Sequence, residues 1–454
     1  MTVVPEAANK GAEGTRLAHS LQPRHVAMIS FGGIIGAGLF IGSSGAIHIG
    51  GPGVALTYGA CGLLVFLIMR MLGEMAVANP GQGSFVEYSA LSLGRWAGFV
   101  TGWLYWYFWV FTVGAETVAG ARLLNQIGID LPVGVIGLGL VFVMTATNLL
   151  SVRAYGELEF WFSLVKVLAI AGFIVVGGVY IGGFDLSQAS ANIAERGGLL
   201  PNGFGALFAA IPVVIFSMMG SEVATIAAAE SADPANNVAR AARTVAFRIL
   251  AFYVLSILVI VAILPWDSIE PGLSPFKAVL DVIGIPGSAA VMSVIIITAV
   301  LSCLNSGLYI TSRMLYELAR AGHAPPSLAI TGENKVPRLG IMIGCIAGFA
   351  AALAQLYLRD DIFTLLASTS GDIILFVYMI IAFAQIRRRQ QLEAEGVQLK
   401  LKMWLFPWLS YAVIAGILGV LVLLAFIPEQ QMTLALSFVT VLVVLGALAV
   451  RRRA

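Results

Sequence analysis

The chain is short of charge. Asp, Glu, Lys and Arg make up 11% of its 454 residues, while 59% are hydrophobic. A water-soluble domain carries roughly 25% charged residues, so a soluble globular fold is excluded. Histidine is scarce too. His19, His25 and His323 fall in or beside polar segments and His48 at the end of an apolar run, which argues against a histidine proton relay. The three cysteines, Cys61, Cys303 and Cys345, all lie inside apolar runs, so no disulfide framework is implied. No G-x-x-x-x-G-K-[ST] motif occurs, which excludes ATP-driven transport on this chain. There is no H-E-x-x-H and no cluster of His, Cys and Asp, so a membrane enzyme lacks its catalytic constellation and no metal or cofactor is expected. A channel filter normally repeats by symmetry, and nothing here repeats that way. A net charge of +2 points to no nucleic-acid partner. The first 23 residues are polar and irregular, and no cleavable signal peptide is read there.

Apolar runs of about 20 residues are what the chain has in abundance, each long enough to cross a hydrocarbon core of roughly 30 Å. Twelve are expected, near 25–48, 54–78, 97–122, 132–151, 159–182, 203–230, 244–265, 288–311, 339–357, 362–386, 404–427 and 431–450. In lipid the backbone must satisfy itself within each segment, so these are helices. The fold class read from the sequence is an all-α polytopic membrane protein. With both termini placed in the cytoplasm, 21 of the 26 Lys and Arg fall on inner segments. Four (Arg122, Arg196, Lys277 and Arg359) fall on outer ones, and Lys166 lies within a span. That is a strong positive-inside bias.

The first span, "ISFGGIIGAGLFIGSSGAI", carries six glycines and no charge, although glycine is a poor helix former. One explanation is close helix packing by small residues four apart (Gly32 and Gly36, Gly38 and Gly42). The other is a break near Gly36, Ala37 and Gly38. The sixth span, "IPVVIFSMMGSEVATIAAAE", favours the second, because Pro212 and Gly220 interrupt it as well. Paired interrupted spans at corresponding positions point to a transporter site between two inverted halves. The expected organisation is a tail over 1–23, halves over 24–182 and 203–386, two further spans within 404–450 and a tail over 451–454. Unwinding frees N–H groups that bind a carboxylate and carbonyls that bind an ammonium. A substrate carboxylate is therefore expected at the N–H groups of Ala37 and Gly38. Its ammonium is expected near the carbonyls of Ile34 and of Phe216 to Met219, so Gly36, Ser217 and Gly220 join the binding set.

Ionisable groups at membrane depth cost about 2.5–3.5 kcal/mol on insertion scales. Five stand out: Glu116, Lys166, Glu222, Glu230 and Asp372. Lys166 either snorkels to the interface or braces the first span against hydroxyls of the eighth, "LSCLNSGLYITS". Glu222, just past the sixth-span break, is a candidate to take up a proton. Glu230 is read as gating or structural, pairing with Arg240 or Arg243 at a helix end. Arg70 and Glu74, four apart in "MRMLGEMA", are read the same way. Glu116 is assigned to the binding set, with a packing role left open. Asp372 follows the polar run from Ser368 to Gly371; it either makes a structural polar contact in the bundle, with Lys166 one possible partner, or shares proton coupling with Glu222 or helps set the substrate range. The aromatic stretch "WLYWYFWVF" either lines a cavity or packs and anchors the helix.

"GGIIGAGLFIGSSGAI", "MGSEVATIAAAESADP" and "CLNSGLYITSRMLYELARAG" resemble the amino-acid permeases of the amino acid–polyamine–organocation superfamily. "GRWAGF", "NLLSV", "YGELEFW", "PNGFGA" and "MWLFPWL" extend the resemblance from about Leu21 to the end, toward the γ-aminobutyrate permeases of bacteria. The resemblance implies a LeuT-like fold of twelve helices with helices 1 and 6 broken. It implies proton-coupled import of γ-aminobutyrate or a related small amino acid across the inner membrane, with no cofactor beyond the proton gradient. It also implies that the Lys166 ammonium stands where sodium-coupled relatives hold sodium, that Phe216 closes over the ligand, and that Asn305 joins the binding set. "FTVGAETVAGA" and "TSGDIILFVY" depart from the family pattern by placing acids at Glu116 and Asp372. Another neutral, aromatic or cationic amino acid remains an alternative substrate, as does a sensor that binds without transporting. Counterflow in proteoliposomes separates the sensor, which binds but does not exchange.

Overall fold

The computed structural model describes residues 35–79, 84–150, 152–183, 186–220, 222, 249–332, 336–357, 362–399 and 401–451. Among them all regular structure is helical. The first-span region gives α1 (Ala37–Phe40) and α2 (Gly42–Gly50), and a tight Gly51–Gly53 turn leads into α3 (Val54–Ala78). Then come α4 (Phe85–Leu93), α5 (Arg95–Gln126), α6 (Val133–Leu150), α7 (Val152–Gly183) and α8 (Leu186–Ala194). The sixth-span region gives α9 (Phe204–Ala209) and α10 (Ile211–Met218). A π-helical segment, Ile249–Val254, precedes α11 (Leu255–Ile263), followed by α12 (Pro275–Ile283) and α13 (Ser288–Arg320). The chain ends with α14 (Arg338–Gly344), α15 (Ile346–Tyr357), α16 (Ile362–Ala394), α17 (Trp408–Ala425) and α18 (Pro428–Arg451).

Among the described residues seven helical runs are long and apolar enough to cross a membrane: Gly42–Ala78, Glu159–Gly183, Ser288–Arg320, Arg338–Tyr357, Ile362–Ala394, Trp408–Ala425 and Pro428–Arg451. Val133–Leu149, Phe204–Met218 and Ala251–Ile263 are apolar but shorter. α5 has 32 residues and carries Arg95, Glu116 and Arg122 among its aromatics.

Two helices overrun their expected ends. α13 continues to Arg320 and α16 to Ala394, whereas hydropathy places the ends at 311 and 386. The added turns, "SRMLYELAR" and "RRRQQLEA", each carry three or more charged residues. Hydropathy marks where lipid ends, and a helix of good formers continues past that point. The short helices α4, α8 and α12 are also absent from the hydropathy reading, because none is long enough to span.

α5, α13 and α16 form the centre, with α5 packed along both of the others. Lipid offers no hydrophobic drive for helix association, so close packing must supply it. Gly371 on α16 is an example: a Cβ there would lie 2.0 Å from the Pro212 carbonyl oxygen, so α16 meets the start of α10 backbone to backbone. α7, α17 and α18 lie outside and expose Leu168, Val175, Val422, Leu442 and Val443, the surface that acyl chains cover in a multi-pass membrane protein.

Candidate functional site

Two helix ends meet near the centre. Gly36 is extended (φ −136°, ψ −155°), and helical backbone begins at Ala37. On the other side α10 stops at Met218, Met219 is extended (φ −68°, ψ 155°) and Gly220 has φ +110°, which glycine adopts without steric cost. α1 packs on α10 at very short range: a Cβ on Gly38 would lie 2.6 Å from Ser217 Cα. The stretches beyond these ends, up to 34 and over 223–248, lie outside the described residues, and with them Ile34 and Glu230.

The N–H of Ala37 is already engaged. It donates to Glu116 Oε1 at 3.1 Å and Oε2 at 3.3 Å. Glu116 is fully buried, and a Cβ on Gly36 would come within 2.6 Å of its Oε1 and 2.9 Å of Cys303 Sγ. The Ser217 carbonyl is engaged as well, accepting from the Tyr253 hydroxyl at 2.7 Å. Tyr253 stands in the π-helical segment, whose extra residue per turn re-aims side chains.

Gly36, Gly38, Glu116, Phe216, Ser217 and Met219 enclose one cavity together with Phe108, Trp109, Thr112 and Cys303. Its volume is about 10 Å³, room for about one water molecule. Phe216 turns edge-on to Phe363 at 6.3 Å and closes one side. Thr112 and Cys303 are missing from the sequence-derived set, and Phe108 and Trp109 enter it only as part of the aromatic stretch "WLYWYFWVF", one reading of which is a cavity lining. The signal was available: positions 108, 109, 112 and 116 share one helical face. Asn305 is not among the lining residues. Its Oδ1 accepts from Asn148 Nδ2 at 2.6 Å, which ties α13 to α6.

Lys166 lies beside this cavity through its contacts with Ile35 and Ser302, which are next in sequence to the lining residues Gly36 and Cys303. Its Nζ donates to the Ile35 carbonyl at 3.1 Å and to Ser302 Oγ at 2.8 Å, so it joins α7, the start of the first helix and α13. It does not snorkel, being fully buried. Its ionic partner is Glu159, 3.7 Å away and equally buried; Asp372 is not that partner. The Ser302 hydroxyl donates to Glu159 Oε1 at 2.6 Å and Oε2 at 2.7 Å, and Ser163 donates at 3.3 Å. Glu159 was read only as part of "YGELEFW". Its spacing to Ser163 and Lys166, i, i+4 and i+7, puts all three on one stripe of α7. The reason Asp372 does not serve is geometric: Glu159 is on the same helix as the lysine, seven residues away.

Asp372 is fully buried, and both its carboxyl oxygens lack a hydrogen-bond donor. The Thr433 hydroxyl beside it donates to the Gln430 carbonyl at 2.9 Å. Glu222 is buried beside Tyr105 and Tyr378. Tyr378 also reaches Met219 Sδ at 3.5 Å, which keeps that helix end in contact with α16. At the arginine-rich end, Glu74 accepts from Gln385 Nε2 at 2.9 Å and from the Met403 N–H, with Arg389 at 3.6 Å. Arg70 donates to the Lys402 carbonyl at 2.6 Å and lies over Trp404. Both residues thus tie α3 to the segment before α17.

Paired helix ends, a small aromatic-walled cavity and buried charges thus come together at the centre of the bundle as the candidate site. The family model described as "Amino acid permease" matches residues 25–452. The γ-aminobutyric acid permease of Bacillus subtilis (strain 168) is 45% identical over 442 residues, 96% of this chain and 94% of that protein. The γ-aminobutyric acid permease of Escherichia coli (strain K12) is 44% identical over 422 residues, 92% and 90% of the two chains. The aromatic amino acid transport protein AroP of the same strain is 33% identical over 435 residues, 95% of each. The chain belongs to the amino acid permease family: it is a multi-pass bacterial membrane transporter, not an enzyme.

Proposed function

We propose that this permease imports γ-aminobutyrate, or a related small amino acid, by proton symport with alternating access. The proposed frame is LeuT-like: twelve spans, two inverted halves of five, the first and sixth interrupted, and both termini cytoplasmic in the inner membrane. The names of the relatives at 44–45% identity support the substrate, and the walls of Phe108, Trp109 and Phe216 suit a short, flexible amino acid.

The observation that carries the reading is the Glu116 carboxylate on the Ala37 N–H. The start of a helix accepts one negative group there, either from Glu116 or from the substrate. Two carboxylates at one buried seat repel each other. A proton on Glu116 removes its charge and weakens its hold on Ala37, so the substrate carboxylate takes the position. The substrate ammonium then faces the end of α10 between Phe216 and Met219, where Tyr253 already holds the Ser217 carbonyl. The proton and the amino acid enter together, and both leave when the site opens to the cytoplasm. A volume near 10 Å³ means that the aromatic walls must part on binding.

Glu116→Gln tests this. The amide keeps the shape and an acceptor oxygen but cannot change charge. Counterflow of γ-aminobutyrate, which needs no net proton movement, is expected to persist, while accumulation driven by an imposed pH gradient falls at least tenfold. Full pH-driven accumulation in the variant, or strict sodium dependence in the unaltered protein, overturns the coupling scheme.

Asp372 is proposed to share the proton-coupling task with Glu222. An ionised carboxylate without a donor is the costly form at that position. Asp372→Asn retains the shape, so the purified protein is expected to melt within about 1 kcal/mol of the original, while the pH profile of uptake changes. If both the pH profile and the competition panel of amino acids match the original, Asp372 is a packing residue.

A further inference from the structure

The arginine-rich end of the bundle carries a second cleft, about 380 Å³ in volume, that shares no lining residue with the cavity at Gly36 and Glu116. Arg95 at the start of α5, His323 after α13 and Arg451 at the end of α18 line it, with Trp96, Phe99 and Leu448. No acidic residue lines it, and neither arginine forms an ion pair among the described residues. Three basic groups therefore face one another without a counter-charge. Arg95 also opens a helix of 32 residues, whose free N–H groups add positive potential.

His323 is the informative member. It is only 9% exposed, yet its Nδ1 has no hydrogen-bond partner. Its place is fixed: Trp103 Nε1 donates to its carbonyl at 3.1 Å, and its ring meets Phe99 edge-on at 5.6 Å. Arg451 lies over the same Phe99 ring, 5.8 Å from its centre. A buried nitrogen without a partner is expensive, and one between two guanidinium groups suits a ligand that accepts hydrogen bonds and carries negative charge. Arginine binds phosphate oxygens in a fork geometry.

The surroundings select the kind of phosphate. Leu448 is half-buried in the cleft, and the same helix exposes Leu442, Val443, Leu445 and Val450. A ligand whose head sits between the arginines can lay acyl chains along α18. Trp96, 39% exposed at the rim, is the residue type enriched at the headgroup level. Basic pockets between helices on the cytoplasmic side hold anionic headgroups.

We propose that Arg95, His323 and Arg451 form a binding site for the phosphate headgroup of an anionic phospholipid. This site is independent of the substrate reading, since none of its residues touches the cavity at Gly36 and Glu116.

Burial, then Arg451 and Arg95, push the His323 imidazole below its usual range. Among the described residues no acid opposes them: Arg95 from α5 and Arg451 from α18 are the charged groups that act on it. An anion between the arginines favours the protonated ring. Binding is therefore expected to take up a proton, to strengthen as pH falls toward 6 and to weaken above the ordinary histidine range.

The test is native mass spectrometry of the full chain, delipidated in detergent and titrated with dioleoyl phosphatidylglycerol or dioleoyl phosphatidylcholine. Retention of phosphatidylglycerol over phosphatidylcholine is expected. The double variant Arg95→Gln, Arg451→Gln should reduce that retention at least fivefold, with Arg452 and Arg453 left in place to keep bulk charge. His323→Gln should remove the pH dependence. A size-exclusion profile and counterflow rate like those of the original show that the variants are folded. Equal retention of the two lipids, or undiminished phosphatidylglycerol in the folded double variant, overturns the site. Millimolar inorganic phosphate is the remaining arm. If it displaces the lipid and raises the melting temperature by itself, the cleft takes free phosphate and the lipid assignment is wrong.

Discussion

Lys166→Ala is expected to reduce pH-driven uptake to the level of empty vesicles and to destabilise the protein by about 3–5 kcal/mol, the cost of breaking one side of a buried ion pair. The stability loss follows from what is left behind. Glu159 has no exposed surface, and its charge would then rest on neighbouring hydroxyls, those of Ser302 and Ser163 among them. The transport loss follows from a different contact. Lys166 also holds the Ile35 carbonyl, next to the extended Gly36 where the first helical run begins. Removing it frees that end from α13. The two effects separate in the double variant Lys166→Ala, Glu159→Ala. No uncompensated charge remains in it, so most of the thermal stability should return in a detergent melt, but uptake should not. If uptake returns as well, Lys166 serves only to neutralise Glu159 and has no place in the transport cycle.

The contacts of Lys166 follow from a rule that works on sequence alone: a cation inside an apolar run needs oxygen acceptors, and Ser302 lies in a run rich in hydroxyls. The two helix ends were legible for a similar reason. Gly36 and Gly220 mark positions where the backbone leaves the helical region, at φ −136° and φ +110°. What was not legible is which partner each freed group takes. The Ala37 N–H was expected to wait for a ligand, but Glu116 lies 79 residues away in sequence, and only the packing of α1 on α5 brings them together. Asn305 is a case of orientation. An asparagine on a helix beside a site faces either the cavity or a neighbouring helix, and Asn148 on α6 settles it from outside any pattern in α13. Glu159 was hidden by the same logic that exposed Lys166. Near the start of its helix it reads as an end residue, until the seven-residue spacing to the lysine is counted. Helix lengths failed where charge-bearing turns continue α13 and α16 beyond the apolar window.

Glycine substitutions along the first span are expected to have sharply unequal effects. Gly38→Val should abolish uptake and destabilise the fold by about 3 kcal/mol or more, and Gly38→Ala should already cost about 1–3 kcal/mol. The reason is the position of the first added carbon. A Cβ on residue 38 meets Ser217 Cα at 2.6 Å, Ser217 Cβ at 3.0 Å and a Phe216 ring carbon at 3.1 Å. The nearest of these is backbone and cannot rotate away. To relieve it, α1 must move off α10, which pulls Phe216 and Ser217 from the cavity wall and opens the contact on which both helix ends rely. Gly42→Ala should be milder, because its Cβ meets the Val213 side chain at 3.3 Å and a methyl group can give by a few tenths of an ångström. Gly45→Ala should be neutral or stabilising by up to about 1 kcal/mol, since nothing lies within 4 Å and alanine is the better helix former. Melting temperature and γ-aminobutyrate uptake, measured on the same preparations, check the series. Near-normal substrate affinity in Gly38→Val would remove the first and sixth helix ends from the binding site, because no arrangement that keeps α1 on α10 has room for that side chain.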